Sequence, residues 1–115
     1  MGKVRVIHAP EQDGRIVVIG AVLWPDRLTL LALVKSDAEE IASEFQEGDQ
    51  GTMFAISDNL GNEYESRGSG GTGDSDLHVT LWDVDFRPGV PSEASSLQVS
   101  IWVRHALWGT VELPL

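Results

Sequence analysis

Two stretches of strictly alternating apolar and polar residues constrain this sequence more than any other feature. They span residues 77–82 (Leu-His-Val-Thr-Leu-Trp) and residues 97–103 (Leu-Gln-Val-Ser-Ile-Trp-Val). Because successive side chains on a strand point to opposite faces, each stretch predicts a β-strand with one apolar face. The connection between them contains prolines, and we predict that the two strands pair as a hairpin. The residues expected to face the core are Leu77, Val79, Leu81, Leu97, Val99, Ile101 and Val103.

The rest of the chain shows further strand patterns separated by turn residues. Strands are predicted over residues 3–9, 15–24, 27–35, 52–57, 62–67 and 110–113. Gly20 interrupts an apolar run and predicts a bulge or a close backbone approach. Gly61 is expected to take a positive φ in a turn that joins two strands. Near Trp82 the apolar parity changes from odd to even positions, which predicts a β-bulge there.

Two segments depart from the strand pattern. Ser36 and Glu39 form a capping box, and apolar residues recur at helical spacing up to Phe45, so we predict one short helix near residues 37–46. Residues 68–75 are rich in glycine and are predicted to form a mobile loop. Seven or eight strands with turn signals between them predict an all-β protein, an antiparallel β-sandwich with that one helix. At 115 residues the chain is expected to form a single domain, residues 1–115.

The composition excludes several kinds of partner and chemistry. Eighteen acidic residues against eight Lys and Arg give a net charge of −10, which repels phosphate backbones and argues against nucleic acid. No apolar run is long enough to span a membrane, and no signal peptide is recognisable. The chain has no cysteine, which excludes disulfides and thiolate chemistry and fits a cytoplasmic location. Export as part of a longer protein stays an alternative.

Three segments carry a resemblance to a known group of proteins. They are Asp58-Asn59-Leu60-Gly61-Asn62-Glu63-Tyr64 with the glycine-rich stretch after it, Phe86-Arg87-Pro88-Gly89-Val90-Pro91, and the ending Val111-Glu112-Leu113-Pro114-Leu115. Together they resemble small actinobacterial Ig-like β-sandwich domains of unknown function. The resemblance implies an Ig-like fold and offers no activity to carry over.

No pattern for catalysis, a cofactor or a metal is recognisable in the sequence. Residues 68–73 match Gly-x-Gly-x-x-Gly, but a strand pattern rather than a helix follows, so nucleotide binding is not expected. The aspartates lack the spacing of a calcium loop, and His8, His78 and His105 lie on different elements. No Gly-x-Ser-x-Gly nucleophile elbow is present. We therefore expect a protein that is not an enzyme and holds no metal and no cofactor.

The tryptophans give the best candidate site. Trp82 and Trp102 both fall on the polar face of their predicted strands, and a symmetric connection would place them opposite each other. With Thr80, Ser100 and Arg104 they form a candidate interaction face, since interface cores favour aromatic residues and arginine. Two interpretations stay open: the face is exposed for binding, or the predicted helix covers it. Trp24 and Trp108 lie at strand ends and are expected to cover the core.

These observations predict a non-enzymatic interaction or structural domain that acts by surface contact. We expect a protein partner or self-association, with a weak homodimer as one form of it. The alternative is a small-molecule or carbohydrate-binding module that uses the tryptophan face as a stacking platform.

Overall fold

The protein is built from antiparallel β-strands. A computed structural model describes residues 4–12, 14, 16–35, 52–74, 79–103 and 106–115. Within these ranges the strands are β1 (Arg5–His8), β2 (Ile16–Leu23), β3 (Leu28–Lys35), β4 (Thr52–Asp58), β5 (Glu63–Asp74), β6 (Val79–Arg87), β7 (Ser96–Val103) and β8 (Ala106–Pro114). The predicted all-β class is therefore confirmed, while the helix predicted near residues 37–46 lies outside the described residues.

The eight strands form one sheet in the order β1-β2-β3-β6-β5-β4-β7-β8. The long strand β5 joins the two halves of this sheet, because it pairs with β6 along residues 65–74 and with β4 at Glu63 and Tyr64. At the ends of the order, β1 and β8 approach each other. The sheet is thus nearly closed and barrel-like, and differs from the predicted sandwich of two separate sheets.

The core lies on the concave side of this sheet. Strands β2 to β8 all contribute apolar side chains to it. Alternate residues of β3 are almost fully buried: Leu28, Leu30, Ala32 and Val34. This matches the face predicted from their spacing. Leu97, Val99 and Ile101 of β7 are also buried, as the alternation predicts.

The irregularity predicted at Gly20 is confirmed. The pairing of β2 with β3 shifts between Val18 and Gly20, which is the signature of a β-bulge. A side chain at Gly20 would collide with the backbone carbonyl of Ile7 on β1. Glycine at this position therefore permits β1 to lie close against β2.

The predicted hairpin between the two alternating stretches is wrong. Strand β6 pairs with β3 and β5, whereas β7 pairs with β4 and β8. The connection from Arg87 to Ser96 thus joins strands that are not neighbours in the sheet. Alternation identified both strands, but it carries no information on which strand lies beside which.

The bulge predicted near Trp82 is also wrong. The pairing of β6 with β3 runs without a shift from Val79 to Phe86. Val84 and Phe86 are buried, while Leu81 is 42% exposed. The even positions of β6 therefore face the core, and the inward orientation predicted for Val79 and Leu81 is incorrect.

The glycine-rich stretch is a strand rather than the predicted loop. Residues up to Asp74 belong to β5 and pair with β6. A Cβ atom on Gly71 would lie 3.2 Å from ring carbons of Trp82, its partner on β6. The absence of a side chain at Gly71 leaves space for the indole of Trp82 to lie over β5. An aromatic side chain placed over a glycine of the neighbouring strand is known to stabilise that glycine in a sheet.

Candidate functional site

An exposed apolar cluster lies on the outer surface of β7 and β8. Trp102 is 38% exposed, and Leu107, its direct partner on β8, is 54% exposed. Trp108 is 49% exposed and is the extra residue of a bulge, because Ile101 pairs with Gly109 and Trp102 pairs with Leu107. Three large apolar side chains therefore reach solvent within one small area of a hydrogen-bonded sheet.

The outer surface becomes polar toward the other end of the same two strands. Ser100 pairs with Thr110, and Gln98 pairs with Glu112. Cross-strand partners point to the same side of a sheet, so these rows continue the surface that begins at Trp102 and Leu107. We call this surface the β7–β8 face; it comprises Gln98, Ser100, Trp102, Leu107, Trp108, Thr110 and Glu112.

An open cavity of about 320 Å³ lies at the polar end of the β7–β8 face. Its volume falls near the lower limit of typical ligand pockets. Polar side chains predominate in its lining: Asp58, Asn59, Ser96, Gln98, Thr110, Val111 and Glu112. The cavity therefore suits a small polar group rather than a large apolar one.

Asp58 and Asn59, the first residues of the turn that continues to Gly61, line one wall of this cavity, and Asp58 holds the turn in place. Oδ1 of Asp58 accepts hydrogen bonds from the backbone amides of Leu60 and Asn62, both at 2.9 Å. Oδ2 accepts from Nδ2 of Asn62 at 2.9 Å and from the hydroxyl of Tyr64 at 2.8 Å. Gly61 has a φ of 90°, as predicted for this turn.

The electrostatics of Asp58 are those of a structural group. Burial acts to raise the pKa of Asp58, but the hydrogen bonds from Asn62, Tyr64 and Leu60 outweigh it and leave the pKa below its ordinary value. Burial raises the pKa of Tyr64, and the hydrogen bond to the negative Asp58 raises it further. Both oxygens of Asp58 are already engaged, so the carboxylate serves the turn rather than acting as a catalytic base.

A second hydrogen-bond set joins the turn to β7. Oδ1 of Asn59 accepts from the backbone amide of Ser95 at 2.8 Å and from that of Ser96 at 3.4 Å. The backbone amide of Asn59 donates to the backbone carbonyl of Ser96 at 3.2 Å. The cavity wall is therefore held rigidly against the strand that carries Gln98.

The residues predicted to form one interaction face lie in two regions. Trp82 and Thr80 are on β6, whereas Trp102 and Ser100 are on β7, and Arg104 lies outside the described residues. Trp82 is half-buried and packs against the core. Trp102 points outward and is exposed, as its parity predicts. The structure thus unites Trp102 with Ser100 but does not place Trp82 opposite Trp102.

The other two tryptophans also differ from each other. Trp24 is half-buried at the end of β2, where its indole Nε1 donates to Oγ1 of Thr29 at 3.0 Å and Arg27 stacks over its ring at 4.6 Å. Trp108 was expected to cover the core but is exposed. Its bulge reorients the strand locally, which could not be deduced from the spacing of apolar residues.

Several residues of the β7–β8 face were not recognised from the sequence. The predicted closing strand covered only residues 110–113, so Leu107 and Trp108 were not assigned to a sheet surface. Gln98 and Glu112 appeared as ordinary solvent-facing polar residues of two strands. Their proximity depends on the pairing of β7 with β8. The one local signal was Gly109, because glycine often accompanies a bulge.

Other site classes receive no support within the described ranges. No group of three or more His, Asp or Glu side chains there is arranged to hold a metal ion. No helix of the described part is long and apolar enough to cross a membrane.

No protein-family model, curated protein or solved structure matches this chain. Inferences about its function therefore depend on the geometry of the β7–β8 face.

Proposed function

We propose that this protein is a non-enzymatic interaction domain that contacts another protein surface through the aromatic end of the β7–β8 face. The observation that supports this most directly is the exposure of Trp102, Leu107 and Trp108 side by side on a rigid sheet. Tryptophan is enriched among the residues that dominate binding energy at interfaces. Because the backbone that carries the three side chains is already paired in the sheet, contact requires little backbone ordering.

Self-association is the form of this contact that can be tested directly. The net charge of −10 opposes the approach of two copies, so the dimer is expected to be weak. Apolar contact between like-charged molecules strengthens when salt screens their repulsion. Added salt is therefore expected to increase the dimer fraction rather than reduce it.

The experiment is sedimentation velocity over a concentration series at low and high salt. Trp102→Ser and Trp108→Ser are each expected to abolish self-association while leaving the fold intact. Leu81→Ser is the matched control, because Leu81 is 42% exposed but lies on β6. A chain that stays monomeric at every concentration and salt level, or equal effects of all three substitutions, would contradict contact through this face.

A second candidate function has its own supporting observation. The polar cavity beside Asn59 and Gln98 lies on the same face as the exposed indoles. That combination favours a small-molecule or carbohydrate-binding module. A binding module of this kind requires the polar end of the β7–β8 face. The proposed protein contact uses only the aromatic end.

We also propose an Ig-like kinship and a cytoplasmic location. An Ig-like kinship is supported by the turn that Asp58 and Tyr64 stabilise, because this turn lies within the segments that carry the resemblance. A cytoplasmic location is supported by the lack of cysteine alone.

A further inference from the structure

We propose that the β7–β8 face binds an extended, neutral sugar chain, with one unit in the polar cavity and another against the exposed indoles. This inference rests on the second candidate function and specifies its ligand. It depends on four observations: the chemistry of the cavity, the rigidity of its wall, the negative charge and the arrangement of the rows on the face.

The cavity offers hydrogen-bonding groups of complementary kinds. The amide of Gln98 both donates and accepts, the hydroxyl of Thr110 does the same, and the carboxylate of Glu112 accepts. All three side chains are exposed, and within the described part of the chain none of them has a side-chain hydrogen-bond partner. A sugar hydroxyl also donates and accepts, so neighbouring hydroxyls of one ring match such a set.

The wall of the cavity needs little reorganisation to bind. The hydrogen bonds of Asn59 to Ser95 and Ser96 fix the turn against β7, and the network of Asp58 fixes the turn internally. A preformed polar site retains more of its interaction energy as affinity, because less ordering is required when the ligand arrives.

Charge disfavours anionic ligands of similar size. Glu112 and the net charge of −10 repel phosphates and acidic sugars. The described residues contain no cluster able to hold a metal ion, and both oxygens of Asp58 are occupied by the turn. A ligand that is uncharged and rich in hydroxyl groups is not repelled by this charge and needs no metal ion for binding.

The rows of the face favour a chain over a single sugar. Gln98 with Glu112, Ser100 with Thr110, and Trp102 with Leu107 follow one another along β7 and β8. Alternate residues on one face are spaced by about 7 Å, so roughly 13 Å separates the cavity row from Trp102. An extended oligosaccharide spans this distance and places the apolar side of a ring on an indole, which offers a broad flat surface for stacking.

The experiment is isothermal titration of the full chain with cellohexaose, xylohexaose, mannohexaose and chitohexaose. Hexagalacturonate serves as an acidic control. The monosaccharide of each neutral hexasaccharide tests whether binding requires a chain. We expect at least one neutral hexasaccharide to bind, its monosaccharide to bind about tenfold more weakly or not at all, and hexagalacturonate not to bind. Failure of every neutral hexasaccharide to bind would overturn the proposal.

Variants locate the site. Gln98→Ala and Trp102→Ser are each expected to weaken binding by about tenfold, as the loss of one ligand contact implies. Asp83→Ala, an exposed position on β6, is the control and is expected to bind normally. Unchanged binding by both face variants would place the sugar elsewhere and overturn the proposal.

The same variants separate this inference from the protein-contact proposal. In sedimentation, Trp102→Ser is expected to lose self-association, whereas Gln98→Ala is expected to keep it. If no sugar binds while this difference is observed, the sugar proposal fails and the interaction domain stands. If a sugar binds and the wild-type chain stays monomeric, the sugar proposal stands and self-association through this face fails.

Discussion

The β5–β6 pair and the β7–β8 pair each present a tryptophan to a neighbouring strand, and the two side chains lie in opposite environments. Trp82 on β6 faces the core and lies over Gly71 of β5. Trp102 on β7 faces solvent beside Leu107 of β8. The environment of a tryptophan in an alternating strand thus depends on the residue opposite it on the next strand. Gly71 leaves space for the inward-facing ring of Trp82. Leu107 instead adds its own exposed side chain to that of Trp102.

The largest effect that tests this comparison is expected from Trp82→Ser. The change removes a large side chain packed against the core and should lower the free energy of unfolding by about 3 kcal/mol or more. Urea denaturation of this variant beside Trp102→Ser measures the difference directly. Equal losses in the two variants would mean that both indoles occupy the same kind of environment, contrary to the structure.

A smaller loss is expected from Tyr64→Phe, which affects the wall of the polar cavity. The hydroxyl of Tyr64 donates to the buried carboxylate of Asp58, and a hydrogen bond to a charged group contributes about 1.5–3 kcal/mol. The free energy of unfolding is expected to fall by about 2 kcal/mol. If the variant is as stable as the wild type, the turn does not depend on this bond.

The same pair of residues predicts the pH dependence of stability. The pKa of Asp58 is lowered on folding, so its contribution is present above the ordinary value of 3.8 and is lost as the pH falls through the folded pKa. The pKa of Tyr64 is raised, so its contribution is present below the ordinary value of 10.0 and is lost as the pH rises toward the folded pKa. Thermal unfolding across pH should show both declines in the wild type. In Tyr64→Phe the alkaline decline should be reduced.

A further test concerns the space that Gly71 leaves for Trp82. In Gly71→Ala the new Cβ would stand 3.2 Å from the ring, so the indole must shift, at a cost of about 1–2 kcal/mol. Gly68→Ala is the matched control in the same strand, because a Cβ there would meet no atom within 4 Å. Chemical denaturation of both variants should find the loss in Gly71→Ala alone. A loss of similar size in Gly68→Ala would indicate that the strand, rather than the indole, requires glycine.

The smallest effect on stability is expected from Trp102→Ser. The side chain is 38% exposed and lies outside the core, so the free energy of unfolding should change by less than about 1 kcal/mol. Self-association and sugar binding are the properties expected to change instead. A loss as large as that expected for Trp82→Ser would show that Trp102 is covered in solution and would remove it from the β7–β8 face.

Only part of the candidate site was predicted from the sequence. The direction in which a side chain points follows from alternation within its own strand, whereas the strands that lie beside it depend on distant parts of the chain. Parity within β7 was enough to place Trp102 outward, because Leu97, Val99 and Ile101 form an unambiguous apolar face. Strand β6 has apolar residues on both faces, with Val79 and Leu81 on one and Trp82 and Val84 on the other. Val79 and Leu81 were expected to face the core, but in the structure Val84 and Phe86 face it instead.

The sequence by itself determined the elements that local chemistry specifies. Alternation and turn residues located β2, β3, β4 and β7 to within about two residues at each end, and Gly61 and Gly20 marked a turn and a bulge that the structure contains. Only the tertiary structure decided that β6 inserts between β3 and β5 and that β8 extends to Ala106 beside β7. The physical reason is that a strand's own residues set its conformation and its two faces. Its neighbours, and hence which face is buried and which side chains form a common surface, follow from contacts between segments far apart in the chain.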